Sequence, residues 1–367
     1  MTSRPNLKDL RPEALREQFR KDGIKPFHAD QVVAWLYARC VDNPDEMTDL
    51  PAELRATLAS NWQTRALHLV AVQKSKDGTR KLALRAVDDA VVEAVVIPEE
   101  RRNTLCVSTQ VGCPLDCSFC ATGALGFTRN LTTAEIVDQV CLAQSQLDAD
   151  GAGDRVTNVV FMGMGEPLLN LANVRDAISI LIHPKAFGLA PRRVTVSTAG
   201  LVPRISELLE IAPINLAVSL HATTDEVRDE LVPLNKKFPL EVLLGTLRAS
   251  PLVNKRRPVF FEYTLMEGVN DSVADARRLP KLLRDLPAKL NVIPMNPHSD
   301  AAYLPPSDEV IDRFTSEVHA GGLRVTLRRD RGRDIDAACG QLAARGLEPG
   351  IAVGLASGED ADGTLDA

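Results

Sequence analysis

The chain has 367 residues, 45% hydrophobic and 25% charged, with a formal net charge of -6. No apolar run approaches the roughly 18 residues of a membrane span, and Met1 to Leu10 mixes Arg, Asn, Lys and Asp without the apolar stretch of a secretory signal. Seven cysteines make an odd set for a secreted disulfide framework, so a reducing, cytoplasmic compartment and about two domains are expected.

The first part reads as helical. Ala29 to Arg39 sets Val32, Val33, Leu36 and Tyr37 on one helical face, and Pro51 to Asn61 starts with proline at a first turn and carries Leu54 and Leu58. The period then changes to two at Leu69 to Gln73, Thr79 to Ala86 and Ala90 to Ile97, with Asp77-Gly78 and Asp88-Asp89 as turns. In the last of these runs Glu93 shares a strand face with Val91, Val95 and Ile97. A carboxylate that interrupts an apolar row is either an edge charge in water or a buried group with a task.

From Thr104 onward six apolar β-rich runs alternate with helical segments: Thr104 to Thr109, Thr157 to Met162, Val194 to Thr198, Ile214 to Leu220, Val259 to Leu265 and Leu290 to Pro294. Thr132 and Glu135 form a capping box ahead of one of these helices. Fully apolar strands joined by helices argue for a parallel sheet covered by helices, closing into a complete or partial βα barrel. A further strand is expected at Leu323 to Arg328, and a loose acidic tail beyond it. The expected division is a helical accessory module at 1–65, a β-meander linker at 66–98, the barrel with the Cys339 loop at 99–345 and a flexible tail at 346–367.

Chemistry concentrates where these strands end, which is where βα folds gather active sites. Cys113, Cys117 and Cys120 stand in a C-x3-C-x2-C spacing after the first strand. Three thiolates are one short of the four that close an iron-sulfur or structural zinc site, so an open metal centre is implied. Gly163-Met164-Gly165-Glu166-Pro167 follows the second strand, where the glycines admit a ligand close to the backbone and Glu166 can accept from an ammonium group. Ser197 ends the third strand, Ser219-Leu220-His221-Ala222 the fourth, and Asn296 follows the sixth. Basic residues cluster at Arg192-Arg193, Lys236-Lys237 and Lys255-Arg256-Arg257, and most densely at Arg324, Arg328, Arg329, Arg331 and Arg333. These read either as a phosphate-binding face or as solvated loops. Cys106 and Cys339, taken alone, read as a packing thiol and as a thiol beside an Arg-rich loop; Cys40 and Cys141 read as packing residues.

The cysteine spacing resembles the signature of the radical S-adenosylmethionine superfamily. The longer strings Lys25 to Gln31, Asp45 to Asp49, Asn158 to Leu169, Val194 to Gly200, Ser219 to Ala222, Ile293 to Pro297 and Arg333 to Gln341 resemble the RlmN family of RNA adenosine methyltransferases within it, over nearly the whole chain. The resemblance implies a partial six-fold radical SAM barrel with an N-terminal helical domain for RNA. It implies one 4Fe-4S cluster on Cys113, Cys117 and Cys120, and contacts to S-adenosylmethionine from Gly165, Glu166, Ser197, Ser219, Leu220, His221 and Asn296.

It also implies a reaction that uses two molecules of S-adenosylmethionine. Adenine C2 is electron-poor and does not attack a sulfonium methyl as an amine would. Cys339 first takes a methyl group by polar displacement. A second S-adenosylmethionine, cleaved reductively at the cluster, yields a 5'-deoxyadenosyl radical that abstracts hydrogen from that S-methyl group. The carbon radical adds to the base, one electron and the C2 proton are then lost with Glu93 as the implied proton acceptor, and Cys106 attacks the sulfur of Cys339, releasing product and leaving a disulfide that added thiol resets. The implied partners are 23S rRNA, tRNA and a reducing electron donor such as a flavodoxin; a monomer is the default. Two rivals share parts of the pattern. Cfr-like relatives use the same cysteines to methylate adenine C8, and a metal-stabilised RNA-binding protein would keep the cluster cysteines without catalysis.

Overall fold

The computed structural model describes residues 4–151, 154–297, 302–328 and 331–342. Arg329, the expected tail at 346–367 and the last residues of the expected 99–345 domain lie outside the described residues.

Three helices open the chain: α1 (Pro12–Lys21), α2 (Phe27–Val33) and α3 (Ala52–Asn61). Leu15, Phe19, Val32, Leu36, Tyr37 and Leu58 are buried between them and the remainder of the molecule. The helix that begins as α2 widens into a π-type turn over Ala34–Ala38. The antiparallel strands β1 (Leu67–Lys74), β2 (Arg80–Ala86) and β3 (Val91–Glu99) follow. They form an extension of the barrel sheet, because β3 pairs antiparallel with β4 (Arg102–Cys106). Glu93 therefore sits on an internal strand and is 2% exposed, which excludes the solvated-edge alternative.

From β4 the strands run parallel in the order β4, β7 (Val156–Phe161), β8 (Val194–Thr198), β9 (Asn215–Ser219), β10 (Val259–Leu265), β11 (Ala288–Pro294) and the short β12 (Val325–Leu327). Six expected runs became six strands, with ends shifted by up to three residues. The apolar side chains that made them legible, such as Val159, Val196, Val218, Phe261 and Val292, are fully buried beneath the helices. Covering helices include α5 (Thr133–Ala149), α6 (Leu171–Ile182), α7 (Val202–Ile211) and α8 (Asp225–Leu231), after a single-turn α4 (Ala121–Ala124). The Thr132–Glu135 capping box forms as expected. The sequence reading had not separated the small hairpin β5 (Gln110–Gly112) and β6 (Phe127–Asn130), which brackets the cysteine loop.

Lys8 joins the N-terminal region to the barrel. Its ammonium is buried in an ion pair with Asp138 of α5, and the same carboxylate accepts the backbone N–H of Leu67 at 3.1 Å. Arg257, read as part of a basic surface cluster, instead donates to the carbonyls of Ile214, Leu209 and Ala212, where it satisfies the C-terminal end of α7 and the loop after it.

Candidate active site

The parallel strands alternate residues in and out, so every second side chain points into the barrel. Cys106, Ser197, Ser219, Glu262, Thr264 and Ile293 point inward and line one chamber at the C-terminal ends of the strands. Cys113, Cys117, Cys120, Gly165, Glu166, His221, Arg328 and Cys339 complete its wall.

The cysteine loop is placed by β5 and β6. Gly112 has φ +74°, and a Cβ there would lie 1.9 Å from the Gly126 carbonyl oxygen, so the hairpin closes only on glycine. Cys113 N–H donates to that same oxygen at 2.8 Å. Burial pushes the Cys113 thiol up to about 12 and Cys117 well above its ordinary range, and the neighbouring cysteine sulfurs push in the same direction. Cys113 and Cys117 thiols that resist ionisation are a poor arrangement by themselves, and iron bonds would replace their protons. Among the described residues no three such side chains are already gathered tightly enough to hold a single metal ion. Their common wall and soft donor set nevertheless suit a cluster whose irons span several ångströms.

Across the chamber, Gly163 and Gly165 allow the second strand's loop to lie against the first. A Cβ on Gly163 would meet the Val107 carbonyl carbon at 2.8 Å, and one on Gly165, whose φ is +100°, would meet Gln110 Cβ at 2.5 Å. Ser108 Oγ takes the Met164 N–H at 2.9 Å, and Gln110 Oε1 takes the Glu166 N–H at 2.8 Å. Glu166 is buried, and its carboxylate accepts from Ala199 N–H at 2.8 Å and Leu168 N–H at 3.0 Å. Burial pushes its pKa up to about 7 despite those two donors. A carboxylate so placed favours a cationic partner such as an amino group.

His221 adopts φ +57° and accepts the Thr264 N–H at its Nδ1, 3.0 Å away. Burial, aided by the nearby Arg228 charge, holds its pKa down to about 3, so it is neutral with its proton on Nε2. Arg228 had drawn no attention in the sequence. It is 1% exposed and donates to the carbonyls of Leu220 (3.0 Å), Ala199 (2.7 Å) and Ser219 (2.9 Å) and to Asn235 Oδ1 (2.8 Å). One guanidinium thus fixes the ends of β8 and β9.

Cys339 is held from two sides. On one, Asp334 accepts from Ser75 Oγ at 2.6 Å, Asp77 accepts the Gly332 N–H at 3.1 Å, and Lys81 Nζ reaches the Asp336 carbonyl at 3.3 Å. On the other, the Gly340 carbonyl accepts Ala121 N–H at 2.8 Å and the Leu342 carbonyl accepts Thr122 Oγ1 at 2.5 Å. The meander and the helix after the cluster loop therefore suspend Cys339 over the chamber. It is exposed, whereas Cys106 is buried, and burial first and Cys339 second push the Cys106 thiol up to about 12.

Residues 5–63 match the family model described as the ribosomal RNA large subunit methyltransferase N-terminal domain, and residues 107–279 match the radical SAM superfamily. A dual-specificity RNA methyltransferase RlmN of Geobacter sulfurreducens is 47% identical over 340 residues, 93% of this chain and 92% of the relative. The chain belongs to the RlmN family. The crystal structure of a radical SAM methyltransferase from Sphaerobacter thermophilus has a TM-score of 0.88 and 44% identity, covering 93% of this chain and 99% of that one.

Within this RlmN-family fold the expected site residues fall in four places. Gly165, Glu166, Ser197, Ser219, His221 and the five cysteines at 106, 113, 117, 120 and 339 share the chamber. Asn296 is buried and lines an adjoining chamber, together with Arg102, Arg331 and Cys339. Leu220 is fully buried behind the wall, its N–H donating to the Glu262 carbonyl and its own carbonyl engaged by Arg228. Glu93 lies on the sheet face of Ile97 and, through the Val95–Cys106 pair, of Cys106. It stands about 7 Å along the strand from Val95, with Lys81 Nζ at 3.3 Å. The sequence reading missed Arg228, Gln110 and Glu262. For Glu262 a signal existed, since it interrupts Val259-Phe260-Phe261-Glu262-Tyr263 as Glu93 interrupts its own strand.

Proposed function

We propose that this protein is a radical S-adenosylmethionine methyltransferase that places a methyl group on C2 of adenosine in 23S rRNA and in tRNA, with Cys339 carrying the methyl group between donor and base. The observation that carries this reading is the sharing of one chamber wall by Cys106, Cys339 and the three loop cysteines. A zinc- or cluster-stabilised binding module has no need of the two extra thiols there. Cys113, Cys117 and Cys120 hold a 4Fe-4S cluster, which when bound supplies the electron that cleaves S-adenosylmethionine to a radical.

The chain's own residues do the rest. Gly165 admits the donor's methionine end to the backbone, Glu166 pairs with its amino group, and Ser197, Ser219 and neutral His221 offer hydroxyl and Nε2–H contacts to its polar atoms. Leu220 shapes that strip from behind and Asn296 acts from the adjoining chamber. Cys339, exposed beside Arg328, is the nucleophile toward the sulfonium methyl. Cys106, whose raised pKa keeps it a thiol until a base takes its proton, later attacks the Cys339 sulfur. Glu93 is the proton acceptor at the base. Arg331 at the second chamber, beside an Arg102 that is held by Glu99 at 2.8 Å, suits RNA phosphates. A helical RNA-binding module at 1–65, a meander at 66–98 and a barrel unit from 99 complete the reading, in a cytoplasmic monomer served by a flavodoxin-like reductant.

The test is mass spectrometry of the Cys339 peptide after anaerobic purification, paired with nucleoside analysis of 23S rRNA and tRNA incubated with the reconstituted protein. Methylated Cys339 and 2-methyladenosine are expected. An unmodified Cys339 in cluster-replete protein given S-adenosylmethionine would overturn the route, and 8-methyladenosine would overturn the position.

A further inference from the structure

Glu262 stands midway along β10, in register with Ser219 on β9 and Asn291 on β11. It is 5% exposed and lines the chamber with Cys106 and Cys339. Its Oε1 accepts from Asn291 Nδ2 at 2.8 Å. Its Oε2 has no hydrogen-bond donor among the described residues. Arg328 Nη1 is 3.7 Å from that oxygen, close enough to attract it and too far to bond it. A buried carboxylate oxygen left without a donor is costly, and such oxygens in native proteins usually await a ligand or an ordered water.

Arg328 lines both chambers with Cys339, so it stands at their junction, and its charge acts on the Cys339 thiol. Arg328 therefore neighbours both the Glu262 carboxylate and the Cys339 thiol, so that an acceptor, a donor and the methyl carrier share this wall. The Watson–Crick edge of adenine presents the complementary groups, with the exocyclic amine as donor, N1 as acceptor and then C2. We propose that Glu262 and Arg328 recognise the target adenine, Glu262 Oε2 accepting from the exocyclic amine and Arg328 donating to N1, so that C2 is delivered to Cys339. This rests on the RNA-methylation reading above. Guanine carries an oxygen in place of the amine and a proton on N1, so it meets the carboxylate with a lone pair and the guanidinium with an N–H. The same pair that admits adenine therefore rejects guanine.

The experiment uses the full-length, cluster-reconstituted protein and a substrate RNA in which the target adenosine is replaced by purine riboside, which lacks only the amine. Wild type should lose about 10- to 100-fold in kcat/KM on that RNA, the scale of one hydrogen bond to a charged group. Glu262→Leu should lose a similar factor on the adenosine RNA and nothing further on the purine-riboside RNA, while its KM for S-adenosylmethionine and its RNA-independent methylation of Cys339 stay unchanged. Two independent, multiplying losses would overturn the assignment, and so would a loss confined to S-adenosylmethionine binding, which would move the carboxylate to the cofactor's own adenosine. Wild type that treats the two RNAs within threefold would overturn it even if the variant does not fold. Wild type that methylates Cys339 but neither RNA would instead refute the RNA reading on which it rests.

Discussion

Replacing Arg228 by leucine tests whether the site's strand ends are held by one buried cation. The guanidinium is fully enclosed, and its loss strips a donor from the carbonyls of Leu220, Ala199 and Ser219 and from Asn235 Oδ1, of which the Leu220 carbonyl keeps a second donor, the Ala222 N–H at 2.8 Å. Each orphaned buried acceptor costs about 1–3 kcal/mol. Asn235, the fourth partner, keeps the bonds its Nδ2 donates to Asp225 Oδ1 at 2.9 Å and Asp229 Oδ1 at 2.7 Å, but its buried Oδ1 loses the donor it had in Arg228. Against this stands the relief of no longer burying a charge, since burial lowers the Arg228 pKa to about 10 even though Cys117, Asp225 and Asp229 pull it up. The net expectation is a loss of about 3–5 kcal/mol, of the size seen when a buried charge network is broken on one side. Urea unfolding followed by far-UV circular dichroism should show the midpoint moving well below that of wild type, at unchanged slope. The KM for S-adenosylmethionine should rise in parallel, because Ser219 and His221 lose their fixed frame. A midpoint within error of wild type would refute the reasoning and show that the freed acceptors find other donors.

Other perturbations probe separate parts of the fold. Burial raises the Glu166 carboxyl from 4.5 to about 7, so without a cationic partner the folded state keeps a proton that the unfolded state has already lost between those values. The resulting contribution to stability falls as pH rises from about 4.5 to about 7, by on the order of 3 kcal/mol, and then levels off. Glu166→Gln should remove that slope from the stability profile, and parallel profiles for the two proteins would contradict the buried-acid account. Gly112→Ala forces a methyl group into the Gly126 carbonyl and should cut iron incorporation and the visible cluster absorbance sharply, with near-normal iron as the refuting result. Lys8→Met leaves Asp138 buried beside two backbone N–H groups and should cost about 3–5 kcal/mol. Its signature is accelerated proteolysis ahead of β1, and a cleavage rate equal to that of wild type would show that the pair does not anchor the N-terminal region.

Much of this molecule was legible in one dimension because its signals are local. Six apolar runs of strand length separated by amphipathic segments dictate buried parallel strands, since each run must hide both faces. A three-cysteine loop declares its metal chemistry by spacing alone, and Glu93 betrays itself by breaking an apolar row. The short β5–β6 hairpin was harder to read, because three- and four-residue strands carry too little periodicity to stand out.

What the tertiary structure alone decided are the relations between residues far apart in the chain. Cys106 and Cys339 are separated by more than two hundred positions, and only the clamp from Ser75, Asp77 and Lys81 on one side and Ala121 and Thr122 on the other brings them to one wall. Arg228 looked like any charged residue of a short helix, and Arg328 like one of a basic cluster. The first became a buried bracket and the second a lining residue because folding closed strands and loops around them. A side chain's type and local pattern are written in the sequence, whereas its solvent, its partners and therefore its ionisation are set by what the rest of the chain packs against it.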